Sequence, residues 1–213
     1  MKTSQIMVLK IGSRTRTRTI KRTNLYPRMT LTAATLITGI LLIGAGLLFL
    51  LRSPAVVTSI KRFPRSRSMA ILFFGLGALW FLYRVWHLSE ADFGQYRKQL
   101  TVFFALVAVG AFFFVPDFLA VRGACVIVLL GAMNLLDAGY MVWDYGEISD
   151  FGLIYLYKIA VFAAVALAIY LGASPFRARD FLDWLYRRPA RPIWLGGALL
   201  AYGLLVTVVG LTY

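Results

Sequence analysis

Arg84, His87, Asn134, Asp137 and Lys158 lie within or at the ends of long apolar runs. An ionisable group inside a bilayer must be paired, solvated or functional, so each is a candidate for ligand binding or a structural ion pair. Arg84 and His87 are three residues apart, as are Asn134 and Asp137, so each pair shares a helix face. Arg84 lies 15 residues beyond Met69, Asp137 lies 14 beyond Gly123, and Lys158 lies 14 before Gly172. At a 1.5 Å rise all three fall roughly 21–23 Å from the same end of their helices. That common layer would let Asp137 pair with Lys158 or Arg84, either as a pin between helices or as an outer-leaflet pocket for a ligand or ion.

Other chemistries are not encoded. One cysteine, Cys125, excludes a disulfide within the chain and any C-x-x-C site. One histidine excludes metal or haem sites that need two. Cys125 sits in an apolar run and reads as a packing residue. No G-x-S-x-G, P-loop or H-E-x-x-H occurs, and no carboxylate pair is placed for acid–base hydrolysis. The Asp-Phe-Gly triplets at 92 and 150 lack the lysine, catalytic loop and Gly-rich loop of a kinase. No metal, cofactor or catalytic residue is expected.

The elements that must position these residues are membrane spans. The chain is 60% hydrophobic and 15% charged over 213 residues, against about 25% charged in a typical soluble domain. Apolar runs near 30–51, 69–88, 100–115, 119–142, 152–173 and 193–212 approach the roughly 20 residues that cross a bilayer. The expected fold is an all-α membrane protein of about six transmembrane helices, arranged as three tandem α-hairpins in a single polytopic domain over 29–213. The third run is short, because Pro116 stops it.

Charge orients the spans. Loop 52–68 carries Arg52, Lys61, Arg62, Arg65 and Arg67 with no acid. Loop 174–192 carries five arginines against Asp180 and Asp183, whereas loop 137–151 holds four acids and no base. The positive-inside rule makes the two basic loops cytoplasmic and the acidic loop external. The implied location is a cell membrane, the inner one in a bacterium. The net charge of +14 is accounted for by topology and by contact with anionic lipid headgroups, not by nucleic acid. Residues 1–28, with eight basic residues, fall on the wrong side in this scheme. They read as a disordered basic tail, and a translation start at Met29 would resolve the conflict.

Internal similarity points to a repeated hairpin. Pro54, Pro116 and Pro175 are 62 and 59 residues apart. Gly77-Ala78, Gly131-Ala132 and Gly197-Ala198 mark the second helix of each unit. Val85-Trp86 leads to Glu90 and Asp92-Phe93-Gly94, and Val142-Trp143 leads to Glu147 and Asp150-Phe151-Gly152.

Two inner loops read as interfacial helices. Ala178, Phe181, Leu182 and Leu185 share one face after Pro175, with Trp184 as an anchor, and Val56, Val57, Ile60 and Phe63 do the same after Pro54. Within the spans, Ala160, Ala164, Ala168 and Gly172 form a small-residue stripe, and Gly197 and Ala201 offer the same spacing on the last helix. Such stripes let helix backbones approach closely, which makes the fifth span the expected centre of the bundle.

Absent catalytic motifs, short loops and the packing stripe favour a non-enzymatic accessory or scaffold subunit of a membrane complex. Its expected partner is another membrane protein or further copies of itself. The rival is a small transporter or channel built on the outer polar layer.

Overall fold

Caps, prolines and hydropathy set the helix boundaries in the computed structural model, which describes residues 29–51, 53–114, 117–139 and 152–212. The basic tail 1–28, Arg52, Pro116 and the acidic stretch with Asp144, Glu147 and Asp150 lie outside the described residues. α1 (Leu31–Leu50) begins where the Thr30 hydroxyl accepts the Ala33 amide. α2 (Pro54–Arg62) starts on a proline, which has no N–H to leave unpaired in a first turn, and runs into a 3-10 turn, Phe63–Arg65. α3 (Arg67–Trp86) is capped by Ser66, whose hydroxyl accepts the Met69 amide. Two single 3-10 turns, Glu90–Asp92 and Gly94–Tyr96, lead into α4 (Arg97–Phe114). α5 (Leu119–Ala138) ends on Gly139, and the remainder of the span expected to 142 lies outside the described residues. α6 (Ile154–Ala173), α7 (Phe176–Tyr186) and α8 (Ala190–Gly210) complete the chain.

α1, α3, α4, α5, α6 and α8 are long and apolar enough to cross a membrane. Among the described residues there is no strand. Apolar side chains cover the outside, Leu79 and Leu106 each at 68% exposure, as befits a surface solvated by lipid rather than water. The protein is an all-α, multi-pass membrane protein of six spans.

The hairpins describe chain order better than packing. The closest pair is α1 with α8, the first span with the last. α3 packs on α5, α5 on α6, and α4 lies along α3. The small residues explain the first of these. Gly39 and Gly46 on α1 are seven residues apart, as are Gly196, Gly203 and Gly210 on α8. A Cβ on Gly39 would collide with the Thr207 hydroxyl, one on Gly46 would come 2.8 Å from the Gly196 carbonyl, and one on Gly203 would come 2.8 Å from the Ile43 amide. Gly210 meets Thr35 in the same way. A seven-residue period keeps one face turned to the partner along the whole seam. The pairs run Gly46–Gly196, Gly39–Gly203 and Thr35–Gly210, so the two helices are antiparallel. Thr35, Thr38 and Thr207 return their hydroxyls to carbonyls one turn back on their own helix, so their buried oxygens cost little.

α5, the fourth span, is the hub. It packs along both α3 and α6 and reaches α1, whereas the fifth span, expected as the centre, packs along α5 alone and has a bare outward face lined by Ile159, Phe162 and Ile169. Gly123 lets α5 press on the backbone of α3 at Phe73 and Phe74. The stripe on α6 supports the other side of the hub. Ala168 is buried with Val121 and Cys125, and a Cβ on Gly172 would sit 3.8 Å from Cys125 Cβ. Ala160 and Ala164 are half-buried on the same helix. Gly197 meets no atom within 4 Å and Ala201 is exposed, so the seam on α8 uses Gly196 and Gly203 instead. A core of Ala34, Ala132, Tyr157, Val161 and Val206 then joins the α1–α8 pair to α5 and α6.

The Gly-Ala pairs of the expected repeat occupy different surroundings. Gly77 lies 3.2 Å, by its virtual Cβ, from the Gly123 carbonyl, Gly131 has ordinary space, and Gly197 is open. Gly94 is crowded by the Ser89 carbonyl while Gly152 has nothing near it, and Asp150 and Phe151 lie outside the described residues.

Candidate functional site

The polar layer is built by the ends of three helices. Arg84 stands in the last turn of α3, Asn134 and Asp137 in the last turns of α5, and Lys158 in the second turn of α6. Arg84 Nη2 donates to Met133 Sδ at 3.1 Å, which ties α3 to α5. Lys158 Nζ donates to the Gly139 carbonyl at 3.1 Å, which ties α6 to the C-terminus of α5. A cation there meets the unpaired carbonyls and negative pole of the helix end. Gly139 permits this approach, since a Cβ would collide with the Tyr157 hydroxyl and come 2.9 Å from Lys158 Cε. Asn134 Nδ2 returns to the Leu130 carbonyl on its own helix. His87 caps α3, with Nδ1 2.8 Å from the Tyr83 carbonyl and its ring 4.2 Å from that of Tyr83.

The five residues thus share a layer but do not converge. The expected ion pair does not form, because the Gly139 carbonyl takes Lys158 and the Met133 sulfur takes Arg84. Asp137 stays exposed, and no cation among the described residues pairs with it. Among the described residues no cluster of three His, Cys, Asp or Glu side chains could hold a metal ion.

The opposite end carries a second constellation, whose parts the sequence indicates but whose assembly it does not. Phe63 and the buried Pro64 form a wedge between the ends of α3, α5 and α6. Phe63 meets Phe73 edge-on at 5.2 Å, and Arg65 lies 5.5 Å from the Phe118 ring. Phe118 adopts a left-handed backbone, φ 58°, to start α5, a conformation costing about 1–2 kcal/mol outside glycine. α7 closes over this wedge with Leu185 fully buried and Ala178 packed on the Val121–Cys125–Ala168 cluster. Lys61 of α2 and Asp183 of α7 pair at 3.5 Å, both exposed, a bond worth under about 1 kcal/mol. Burial pushes the Tyr186 phenol above its ordinary pKa, because a phenolate there would lose its water.

Of the apolar residues expected on one face of this helix, Leu185 is fully buried against the bundle, while Phe181 is exposed and stacks on Trp184 at 6.0 Å. The glycine seam is the feature that sequence reasoning missed. Its signal was the seven-residue spacing, hidden because Gly197 and Ala201 offered a tempting four-residue one.

Compared with protein-family models, curated proteins and solved structures, the chain matches none.

Proposed function

We propose that this protein is a non-catalytic membrane subunit that scaffolds or accompanies a membrane complex. The observation that carries the reading is the use made of the intramembrane polar groups. Arg84 and Lys158 each fasten a neighbouring helix to α5, and Asn134 is satisfied within α5. Polar groups spent in this way hold a bundle together instead of lining a route for a substrate. The test is affinity purification from native membranes in mild detergent, with mass spectrometry of what is retained. A membrane protein, or a second copy of the chain, is expected in stoichiometric amount. Consistent recovery of the chain alone contradicts the proposal.

A transporter or channel reading draws on one observation, the exposed carboxylate of Asp137, which has no ion-pair partner among the described residues. It requires Asp137→Asn to abolish a measured flux or ligand-binding signal while the fold survives.

The proposed orientation follows from charge. Lys61, Arg62, Arg65, Arg177, Arg187 and Arg188 all belong to the end built by α2, the wedge and α7. That end faces the cytoplasm by the positive-inside rule, in the inner membrane if the cell is bacterial. Reporter fusions at residues 60 and 182 are expected on one side and a fusion at 145 on the other. All three on the same side would overturn the orientation.

A further inference from the structure

The bundle uses one face of α7 and leaves another bare. Ala178, Leu182 and Leu185 turn toward the spans. Arg177, Phe181 and Trp184 follow at i, i+4 and i+7, a single stripe along a different side of the helix, and Arg188 follows just past its end, in the turn that leads to α8. Phe181 and Trp184 are 44% and 49% exposed, although both are large and apolar. Arg191, in the first turn of α8, completes the stripe. Its guanidinium lies 4.1 Å from the Trp184 ring centroid and donates to the Trp184 carbonyl at 2.7 Å.

Charge and connectivity determine what this stripe can meet. The acids of α7 are already engaged, Asp180 by Arg179 at 2.7 Å and Asp183 by Lys61 at 3.5 Å. No carboxylate among the described residues pairs with Arg177, Arg188 or Arg191. Only Ser174 and Pro175 separate α7 from the end of α6, and only Arg187, Arg188 and Pro189 separate it from α8. Both its ends are therefore held at the level where spans leave the hydrocarbon. A helix of this length, about 16 Å, tethered so closely at both ends, must lie in the interfacial plane. Aromatic rings that are apolar at one end and polar at the other favour that layer, and arginine recognises phosphate through its planar fork of donors.

We propose that the Arg177–Phe181–Trp184 stripe, with Arg188 and Arg191 at its end, is a docking surface for anionic phospholipid headgroups. Phe181 and Trp184 enter the acyl boundary. Arg177 at one end, and Arg188 with Arg191 at the other, take the phosphates of separate lipids. This deepens the scaffold reading by assigning its interfacial helix a lipid class, and it depends on that reading only for the side of the membrane concerned.

The test is native mass spectrometry of the full chain in detergent, titrated with phosphatidylglycerol or phosphatidylcholine. The wild type is expected to retain phosphatidylglycerol preferentially. Each arginine removed is expected to weaken that retention about fivefold, so that Arg177→Gln/Arg188→Gln/Arg191→Gln shows no preference. Arg97→Gln/Lys98→Gln, equally basic positions at the other end of the bundle, is expected to keep it. Glycerol phosphate without acyl chains is expected not to compete, which separates a lipid site from a free-phosphate site. The proposal is overturned by equal retention of both lipids in the wild type, by unchanged preference in the triple variant, by equal loss in the Arg97/Lys98 variant, or by effective competition from glycerol phosphate. The assay is blind to which side α7 faces and to bound proteins, so its failure is distinct from failure of the reporter or affinity experiments. Thermal unfolding of each variant in the same detergent verifies that the fold survives. If the triple variant fails to fold, Arg177→Gln and Arg188→Gln are scored singly, and unchanged preference in both overturns the proposal.

Discussion

Gly203→Leu is expected to leave little folded protein in the membrane. The virtual Cβ of Gly203 lies 2.8 Å from the Ile43 amide and 3.0 Å from the Gly39 carbonyl, so the obstacle is backbone and cannot rotate away. α1 and α8 would have to separate along their length, which breaks the neighbouring approaches at Gly46–Gly196 and Thr35–Gly210. Overpacking of a tight core costs about 1–3 kcal/mol, and more where backbone must move. Van der Waals contact is the main force between helices in lipid, where no hydrophobic drive assists. We expect a loss of roughly 3 kcal/mol or more, which is a large share of a typical folding stability. The seam supplies its own controls. Gly44→Leu on α1 and Gly197→Leu on α8 add the same atoms where no neighbour lies within 4 Å, and both are expected to be neutral. Thermal unfolding in detergent and yield of monodisperse protein measure all three. Equal behaviour of Gly203→Leu and Gly197→Leu would mean that the seam is not where the helices meet.

At the polar layer, Lys158→Met and Gly139→Val are expected to destabilise the bundle, while Asp137→Asn is not. Lys158→Met leaves the Gly139 carbonyl without its charged donor, at a cost of about 1–3 kcal/mol. Gly139→Val drives a side chain into the Tyr157 hydroxyl and Lys158 Cε, which costs about as much. Asp137 is exposed and outside any ion pair among the described residues, so its amide variant should fall within about 0.5 kcal/mol of the wild type. Unfolding midpoints of the three variants decide the matter. A strong effect of Asp137→Asn, reversed by Lys158→Met, would restore the ion pair that the geometry does not show.

Much of this architecture was legible in the sequence. Hydropathy alone locates the six spans, because a helix that meets lipid all round must be apolar all round. The short helices after Pro54 and Pro175 were visible as amphipathic periods bounded by prolines. Their joining was not, since Phe63 also packs against α5 and α6, which lie far away in the chain. The same limit explains the polar layer. Helix rise placed Arg84, Asp137 and Lys158 at one depth, but rotation about each helix axis decides which groups meet. A backbone carbonyl and a thioether sulfur proved the nearer partners, and neither is a partner that charge matching would select. Helix order was hidden for a related reason. Six spans that are apolar on every side carry little signal of which face meets which, so only the glycine spacing records that the first span packs against the last.

Most directly at stake is the claim that this bundle is a structural subunit rather than a site of chemistry or transport. Crosslinking in intact membranes, before any detergent is added, tests it without loss of weakly held partners. Amine-reactive and formaldehyde crosslinkers both apply, since Lys61 and Lys98 are exposed at opposite ends of the bundle. The account predicts that the tagged chain moves from its monomer mass of 23.9 kDa into a discrete larger species whose other component is a membrane protein or a second copy. Recovery at 23.9 kDa alone, under conditions that crosslink known membrane complexes in the same sample, would contradict it.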